Sequence, residues 1–261
     1  MSNVGNELTM FNGEIRHPGE TRLSIQSDAV MYGAGIFETM RTYQQKFLPF
    51  LEAHLNRLNK SLAAVKIPCP YSKQQLGEMV SELVSEHPYA LQRIKLVVNA
   101  EGVFIQSNSL VDESIQGVRL MSYEGKRSLA EHKTTSYLDC YLAWQHANEK
   151  GFDDALFVDT AGQVYESSRA NLFWVKDGAI FTRQNEVLPG IMRGFVIDHC
   201  DDVIQYKNGT LNDLLDSDEV FITNSIKGIL PVTRIDNCEL NNHDKAKNFS
   251  DRLHDFVIKP V

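Results

Sequence analysis

Four short apolar runs follow one another in the second half of the chain, and a turn separates each from the next. They read ALFVD, QVYES, NLFWV and AIFT, and the last turn is the tripeptide Lys176-Asp177-Gly178. Short β-rich runs at this spacing predict a meander of neighbouring strands that includes a hairpin at Lys-Asp-Gly. Residues 151–182 are therefore expected to form a sheet.

Helices are predicted where apolar residues recur every three or four positions. The clearest run covers residues 50–65, and two further runs cover residues 72–86 and 137–150. The apolar positions of the first run are Leu51, Leu55, Leu58, Leu62 and Val65. Helices and strands in this order predict an α+β protein with a smaller N-terminal part and a strand-rich C-terminal part.

A polar stretch, QSNSLVDESIQG at residues 106–117, contains no long apolar run. It suits a connection between domains, and it could be either a passive linker or a lid over a site. The predicted organisation is an N-terminal α/β domain over residues 1–110, a connection over residues 111–120 and a C-terminal domain over residues 121–261.

The composition excludes several classes of protein. The 261 residues include 26 Lys and Arg, 34 Asp and Glu and 43% hydrophobic residues, with a net charge of -8. A disordered chain would be less hydrophobic, and a nucleic-acid-binding protein would carry a basic patch. Neither a span of ~20 apolar residues nor a signal peptide is visible, so a cytoplasmic protein is expected. The four cysteines are widely spaced, which predicts reduced thiols and no metal site.

Two residues could carry chemistry, although each also has an ordinary structural explanation. Lys133 precedes a cluster of hydroxyl residues at the start of a helix, where a lysine is usually a solvated charge. It could instead form a Schiff base with a carbonyl cofactor. Glu166 ends an apolar strand and could be a simple turn carboxylate. It could also be the partner of a protonated ring nitrogen in an electron-sink cofactor.

Three further features could bind a phosphate. LPGIMR at 188–193 places a Pro-Gly turn before a helix, whose first N–H groups are free donors at the positive end of the helix dipole. The tripeptide TNS at 223–225 could be a phosphate cup or only a polar turn. Arg57 flanks the apolar stripe of its helix and could be a surface arginine or a phosphate ligand. Together with Lys133 and Glu166, these features fit one ligand, a phosphorylated pyridine aldehyde.

Six motifs, in this order, resemble those of the class IV pyridoxal-phosphate enzymes. They are YGAGIFETMR (32–41), EAHLNRL (52–58), HKTTSYL (132–138), GFDDALFVDTAGQVYESSRANLFWV (151–175), LPGIMR (188–193) and SDEVFITNSIKGILPV (217–232). The family comprises branched-chain and D-amino-acid aminotransferases and 4-amino-4-deoxychorismate lyase. The resemblance covers nearly the whole chain. It implies the PLP fold type IV, pyridoxal 5'-phosphate as cofactor, and a homodimer with its site at the domain interface.

The resemblance also implies roles for individual residues. Lys133 takes the place of the Schiff-base lysine and general base, Glu166 that of the carboxylate on the pyridine nitrogen, and Arg57 that of a phosphate ligand. The remaining phosphate contacts fall on the backbone N–H groups of Ile191 and Met192 and on the hydroxyl of Ser225. The positions expected to bind the substrate amine are Tyr32, Glu38, Thr39 and Tyr137, with Arg93 or Lys95 for a substrate carboxylate.

The motifs TNSIKGILPV, GIFET and NLFWV look more like those of the lyases, and the short chain favours the lyase or the D-amino-acid type. Two departures leave the substrate open. HKTTSYL lacks the His-Leu-Asn-Arg that follows the lysine in some lyases, and RIKLVVNAEG lacks an Arg-Gly pair. The resemblance thus implies an aminodeoxychorismate lyase that releases pyruvate and forms 4-aminobenzoate, a folate precursor. A class IV aminotransferase for branched-chain or D-amino acids is the alternative, and a silent binding protein with this fold is a third.

Overall fold

The computed structural model describes residues 7–112 and 116–258. These residues form two compact units. The first unit contains residues 7–112, 132–136 and 257–258, and the second contains residues 116–131 and 137–256. Both helices and strands are abundant, as the α+β prediction requires. The segment 132–136, which carries Lys133, groups with the first unit although it lies far along the chain.

The first unit is built on a five-stranded antiparallel sheet with the spatial order β2-β1-β5-β4-β3. Its strands are β1 (Glu7–Phe11), β2 (Glu14–Arg16), β3 (Gly35–Arg41), β4 (Gln92–Asn99) and β5 (Gly102–Ser109). Its helices are α1 (Asp28–Met31), α2 (Leu51–Val65) and α3 (Lys73–Glu86), with a 3-10 turn at Gln44–Lys46. The helices predicted over 50–65 and 72–86 are thereby confirmed.

Helices α2 and α3 cover one face of this sheet. Leu55, Leu58 and Leu62 of α2 are buried in one cluster with Ile36 and Met40 of β3. Because side chains alternate along a strand, residues 36, 38 and 40 point toward the helices and residues 37, 39 and 41 point away from them. Alternate residues of β3 therefore lie either in the core beneath the helices or on the opposite face of the sheet.

The polar stretch at 106–117 is not a loop throughout. Residues 106–109 end β5, which lies between β1 and β4 in the sheet. The Ser107 hydroxyl donates to Gln92 Oε1 at 2.7 Å, and the Gln106 amide donates to Glu7 Oε1 at 2.6 Å. The loop prediction was wrong here, because the polar side chains find partners on neighbouring strands. Residues 113–115 of the predicted connection lie outside the described residues.

The second unit contains a nine-stranded sheet with the order β11-β10-β9-β12-β13-β6-β7-β8, and β14 pairs with β13. Its strands are β6 (Val118–Glu124), β7 (Asp154–Val158), β8 (Val164–Ser167), β9 (Asn171–Lys176), β10 (Ala179–Thr182), β11 (Ile204–Tyr206), β12 (Glu219–Asn224), β13 (Gly228–Ile235) and β14 (Cys238–Glu239). Its helices are α4 (Leu138–Glu149), α5 (Ile191–Asp198), α6 (Leu211–Leu215) and α7 (Asp244–Ile258).

The four strands predicted over 151–182 are present, and the hairpin at Lys176-Asp177-Gly178 joins β9 to β10. Its two central residues have positive φ, 50° at Asp177 and 79° at Gly178, as a type I′ turn requires. The prediction of one continuous meander was wrong, because β12, β13, β6 and β7 lie between β9 and β8 in the strand order. Pairing between strands so distant in sequence leaves no local signal.

The central strands of the second unit have two differently packed faces. Leu172 and Ile222 face one core cluster. Phe173 and Phe221 stack on the other face, with ring centroids 4.9 Å apart and planes at 4°. Since Asn171 pairs with Thr223 in the same register, both lie on the face of the stacked phenylalanines. Among the described residues, no helix has the length and apolarity that crossing a membrane requires.

Candidate active site

Lys133 is fixed to the edge strand of the first unit. The backbone N–H of Phe37 donates to the Lys133 carbonyl at 2.8 Å. The Lys133 ammonium lies 4.4 Å from the centroid of the Phe37 ring, and the Lys95 ammonium lies 5.1 Å from the same centroid. The structure thus brings together the predicted catalytic lysine and one of the two predicted carboxylate-binding residues.

Gly33 allows the segment 132–136 to approach the strand this closely. Its φ is +64°, and a Cβ there would lie 2.8 Å from the Cα of Ser136. The Thr135 hydroxyl donates to the Gly33 carbonyl at 2.6 Å and holds the two backbones together. A side chain at position 33 would therefore push away the segment that carries Lys133. The neighbouring Tyr32, predicted to bind substrate, is 72% exposed.

Thr39 and Lys95 lie opposite each other on β3 and β4, on the sheet face that points away from the helices. Desolvation lowers the pKa of Lys95, and the charge of Arg93 lowers it further. Arg93 is one row further along, opposite Arg41, whose guanidinium pairs with Asp112 at 2.9 Å. Of the two residues predicted to bind a substrate carboxylate, Lys95 is the one whose ammonium lies near the Phe37 ring, as the Lys133 ammonium does.

Glu38 lies on the helix side of β3, on the opposite face from Thr39. Its carboxylate accepts hydrogen bonds from Arg57 at 2.8 and 2.5 Å, and its Oε2 lies 2.7 Å from His54 Nδ1. Glu38 is 0% exposed, His54 1% and Arg57 8%. These neighbours do not favour the predicted contact between Glu38 and a substrate, because side chains of helix α2 bind both of its carboxylate oxygens.

Burial and charge act against each other in this cluster. Burial alone would raise the pKa of Glu38, but the Arg57 charge and the hydrogen bonds from Arg57 and His54 lower it to about 2. Burial lowers the pKa of His54, which the Glu38 hydrogen bond only partly offsets. The cluster therefore contains a carboxylate, a guanidinium and a neutral imidazole, and it orients Arg57.

Glu166, the predicted partner of a ring nitrogen, is a buried carboxylate of the second unit. Arg127 donates to its Oε1 at 2.7 Å. The Asn171 amide and the Leu188 backbone N–H donate to its Oε2 at 3.0 and 3.1 Å. Opposite charge and three donors favour the ionised form. Arg127 and Asn171 were not predicted as site residues; for Asn171, the amide that opens the apolar run NLFWV was a signal in the sequence.

The turn before helix α5 presents backbone donors. Gly190 is the N-cap and provides no side-chain cap, so the N–H groups of Ile191 and Met192 at the helix start are available to an anion. Three buried polar atoms have no hydrogen-bond partner among the described residues, and two of them, Arg193 Nε and Thr223 Oγ1, belong to α5 and to β12. Unsatisfied buried donors are rare in proteins and suit a site that binds a polar group.

The turn that follows β12 carries Ser225. Asn224 Oδ1 accepts the backbone N–H groups of Ile226 at 3.0 Å and Lys227 at 2.8 Å, which fixes the turn around the serine. Tyr137 lies at the start of α4, and its hydroxyl donates to the Ser168 carbonyl at 2.6 Å. Burial raises the pKa of Tyr137, so its hydroxyl stays protonated.

The chain is similar in sequence and in fold to several known enzymes. A D-alanine aminotransferase of Listeria monocytogenes is 27% identical over 97% of this chain and 95% of its own. An aminodeoxychorismate lyase of Bacillus subtilis is 28% identical over 88% of this chain and 87% of its own. The crystal structure of a branched-chain aminotransferase of the archaeon Thermoproteus uzoniensis with norvaline has a TM-score of 0.91 at 23% identity, covering 97% of this chain and 95% of its own.

The fold is accordingly the PLP fold type IV that the motifs implied. The model of the family described as amino-transferase class IV matches residues 35–235, which include β3 and Lys133 of the first unit and Glu166 and the α5 turn of the second. The enzymes of this family depend on pyridoxal phosphate, and they include lyases and aminotransferases. The chain belongs to the class IV aminotransferase family of pyridoxal-phosphate-dependent enzymes.

Proposed function

We propose that this chain is a 4-amino-4-deoxychorismate lyase, which releases pyruvate and forms 4-aminobenzoate for folate synthesis. The observation that carries the proposal is the pair of ammonium groups, Lys133 and Lys95, on the ring of Phe37. One provides an amine for the chemistry, and the other provides a cation for a carboxylate of the substrate. The net charge of -8 makes such local cations more informative, because they oppose the sign of the whole molecule.

The residues present fit pyridoxal 5'-phosphate. The uncapped start of α5 and the Ser225 turn offer donors to a phosphate, and the unpartnered Arg193 Nε and Thr223 Oγ1 are buried polar atoms of the same unit, within the described residues. Glu166 offers a carboxylate to a ring nitrogen. We assign Arg57 to the phosphate as well, with Glu38 and His54 orienting its guanidinium.

When bound, this cofactor supplies a reactive carbonyl and a protonated pyridine ring that accepts electrons. Glu166 would hold the proton on the ring nitrogen, and the 2.7 Å ion pair with Arg127 favours the ionised form of Glu166. The Tyr137 hydroxyl keeps its proton, because burial raises its pKa, and it donates a hydrogen bond to the Ser168 carbonyl. These side chains set the electronic environment, and they do not transfer the substrate's proton.

Lys133 is the proposed general base. Its uncharged amine would take the proton from the amine-bearing carbon of the substrate. The bond between the ring and the enolpyruvyl oxygen then breaks, the leaving group takes up a proton, and pyruvate is released. The ring that remains is aromatic, which makes the step strongly favourable. Thr39 and Lys95 line the same sheet face and are assigned to substrate binding.

The choice of a lyase is supported by the motifs GIFET and TNSIKGILPV and by the lyase of Bacillus subtilis at 28% identity. The test is the purified, cofactor-loaded protein with aminodeoxychorismate and no keto acid. We expect pyruvate and 4-aminobenzoate in equal amounts, and neither product with Lys133→Ala. A strict requirement for an acceptor such as 2-oxoglutarate, with no pyruvate from aminodeoxychorismate, contradicts the proposal.

A class IV aminotransferase is the second candidate. It is favoured by the D-alanine aminotransferase of Listeria monocytogenes, which aligns with 97% of the chain. In that reaction Lys133 would return the proton to the cofactor rather than complete an elimination. Activity with branched-chain or D-amino acids and a keto-acid acceptor, in the absence of lyase activity, would identify it.

We also propose that the protein is a cytoplasmic homodimer. Apolar side chains near the start of the first unit support the dimer: Ile25 is 77% exposed and Met31 59%, beside the exposed Tyr32. A second copy that covers them would remove this apolar area from water. Sedimentation equilibrium should give twice the chain mass of 29.6 kDa, and a monomer at all concentrations would contradict this part of the proposal.

A further inference from the structure

One asparagine of the second unit contacts two features to which different parts of the cofactor have been assigned. Asn171 is the first residue of β9, and its Nδ2 donates to Glu166 Oε2 at 3.0 Å and to the Leu188 carbonyl at 2.8 Å. The Leu188 N–H donates to the same Glu166 oxygen at 3.1 Å. The amide, the carboxylate and the turn thus form a closed set of hydrogen bonds.

The surroundings of Asn171 fix its side chain in this position. The residue is 4% exposed and pairs with Thr223 of the neighbouring strand β12. Its Oδ1 lies so close to Gly190 that a Cβ at position 190 would overlap it. Gly190 is also the N-cap of α5, so the asparagine packs directly against the start of the helix that presents N–H donors.

An asparagine suits this position for a chemical reason. Its NH2 group has two hydrogens, which reach a carboxylate and a carbonyl at the same time. Aspartate has the same size but cannot donate and would place a second negative charge beside Glu166. Serine has a single donor and a shorter side chain. The arrangement therefore depends on the amide and not only on its volume.

We propose that Asn171 is a positioning residue that holds the Glu166 carboxylate and the turn at 188–190 in one fixed arrangement. The pyridine nitrogen and the phosphate of one pyridoxal phosphate are then bound by a single preorganised surface. This inference rests on the proposed function, since it takes Glu166 and the start of α5 as the groups that bind those two parts. Asn171 touches neither the substrate nor the reacting atoms in this role.

The test compares binding of pyridoxal 5'-phosphate and of pyridoxal, which lacks the phosphate, by titrating the full chain and following cofactor absorbance. Asn171→Ala should weaken binding of pyridoxal phosphate about tenfold, the effect of losing hydrogen bonds to a charged group. It should weaken binding of pyridoxal less, about threefold, because only the Glu166 contact then contributes. In a Glu166→Gln background, the effect of Asn171→Ala on pyridoxal should largely disappear, since the residue acts through Glu166.

Asn148→Ala is the matched control. The Asn148 amide also donates to two carbonyls, those of Trp144 at 3.0 Å and Asp153 at 3.4 Å, but at the exposed end of α4. It should leave both affinities unchanged. Asn171→Ser is the second variant should Asn171→Ala fail to fold, and it is expected to fall between the alanine variant and the wild type.

Three outcomes would overturn the inference. One is an Asn171→Ala variant that binds pyridoxal phosphate as tightly as the wild type. Another is an equal loss for pyridoxal and pyridoxal phosphate, which would mean that the turn is not involved. The third is an unchanged effect of Asn171→Ala in the Glu166→Gln background. A wild-type protein that binds no pyridoxal phosphate at all would overturn the proposed function and this inference together, and it is distinguishable from the other three.

Discussion

Arg57 donates to both carboxylate oxygens of Glu38, at 2.8 and 2.5 Å, and both side chains are buried between helix α2 and strand β3. His54, one turn earlier on the helix, contacts the same carboxylate at 2.7 Å. The ion pair joins helix α2 to strand β3. Arg57 is itself a proposed phosphate ligand, and the other face of β3 lies beside Lys133. The integrity of the ion pair should therefore matter for both stability and cofactor binding.

Replacing Glu38 by Gln should destabilise the protein strongly. The variant leaves the Arg57 guanidinium buried without a balancing charge, which costs about 3 kcal/mol in the free energy of unfolding. Urea denaturation measures this difference. Glu52→Gln is the control, because Glu52 lies on the same helix but pairs at the surface with Lys73 of α3, and its loss should change stability by less than about 1 kcal/mol. Equal effects of the two variants would contradict the prediction.

His54 should make the protein less stable in mild acid. Its pKa in the folded protein is lowered from 6.5, mainly by burial, so below that pH the unfolded chain takes up a proton that the folded chain does not. Stability therefore rises with pH up to about 6.5, and this residue contributes a slope of at most about 1.4 kcal/mol per pH unit. His54→Asn should reduce the slope, measured by urea denaturation between about pH 5 and 7. The exposed His254, changed to Asn, serves as control, and an unchanged slope in His54→Asn would count against a buried neutral imidazole.

Glu219 should stabilise the closing helix of the second unit. Its two carboxylate oxygens accept the backbone N–H groups of Lys245 at 2.9 Å and Ala246 at 2.7 Å, at the start of α7. Glu219→Gln keeps one acceptor and loses the other, so we expect a loss of about 1 kcal/mol in the free energy of unfolding. Glu239→Gln, at an exposed ion pair, should have little effect. A Glu219→Gln variant as stable as the wild type would show that these two hydrogen bonds do not stabilise the start of α7.

Gly190 should tolerate no side chain while Asn171 is present. Its Cβ would overlap Asn171 Oδ1, so Gly190→Ala is expected to cost about 2 kcal/mol, as overpacking in a core does. In an Asn171→Ala background the cost should be smaller. Gly194→Ala, in the same helix with no described atom within 4 Å of its Cβ, should instead stabilise by about 0.5–1 kcal/mol. Thermal or urea unfolding of these variants decides the matter, and a Gly190→Ala variant as stable as the wild type would refute the overlap.

The sequence predicted most of the local structure, because local signals determine it. The leucines of α2 and the apolar periodicity over residues 72–86 indicate helices that the structure contains. Strand β5 was missed because Ser107 and its neighbours are polar, and their partners lie on other strands. The separation of β8 from β9 was missed because β9 pairs with β12 and β7 pairs with β6, and these partners lie far apart along the chain.

The candidate site shows the same division. Lys133, Glu166 and the α5 turn could be chosen from motifs, since each motif has a recognisable residue order. The surroundings of Glu38 could not be predicted, because strand alternation places it on the opposite face from Thr39 without showing which face helix α2 covers. Arg127 contacts Glu166 across 39 positions of sequence, and nothing in its local sequence marks that contact.

The most direct test of the account is to find which amine binds the cofactor. Borohydride reduction of the protein loaded with pyridoxal phosphate fixes the cofactor's carbonyl carbon to that amine, and peptide mass spectrometry locates it. We predict a phosphopyridoxyl group on Lys133 and none on Lys95, although both ammonium groups approach the ring of Phe37. A label on Lys95, or no label on either lysine, would contradict the assignment of Lys133.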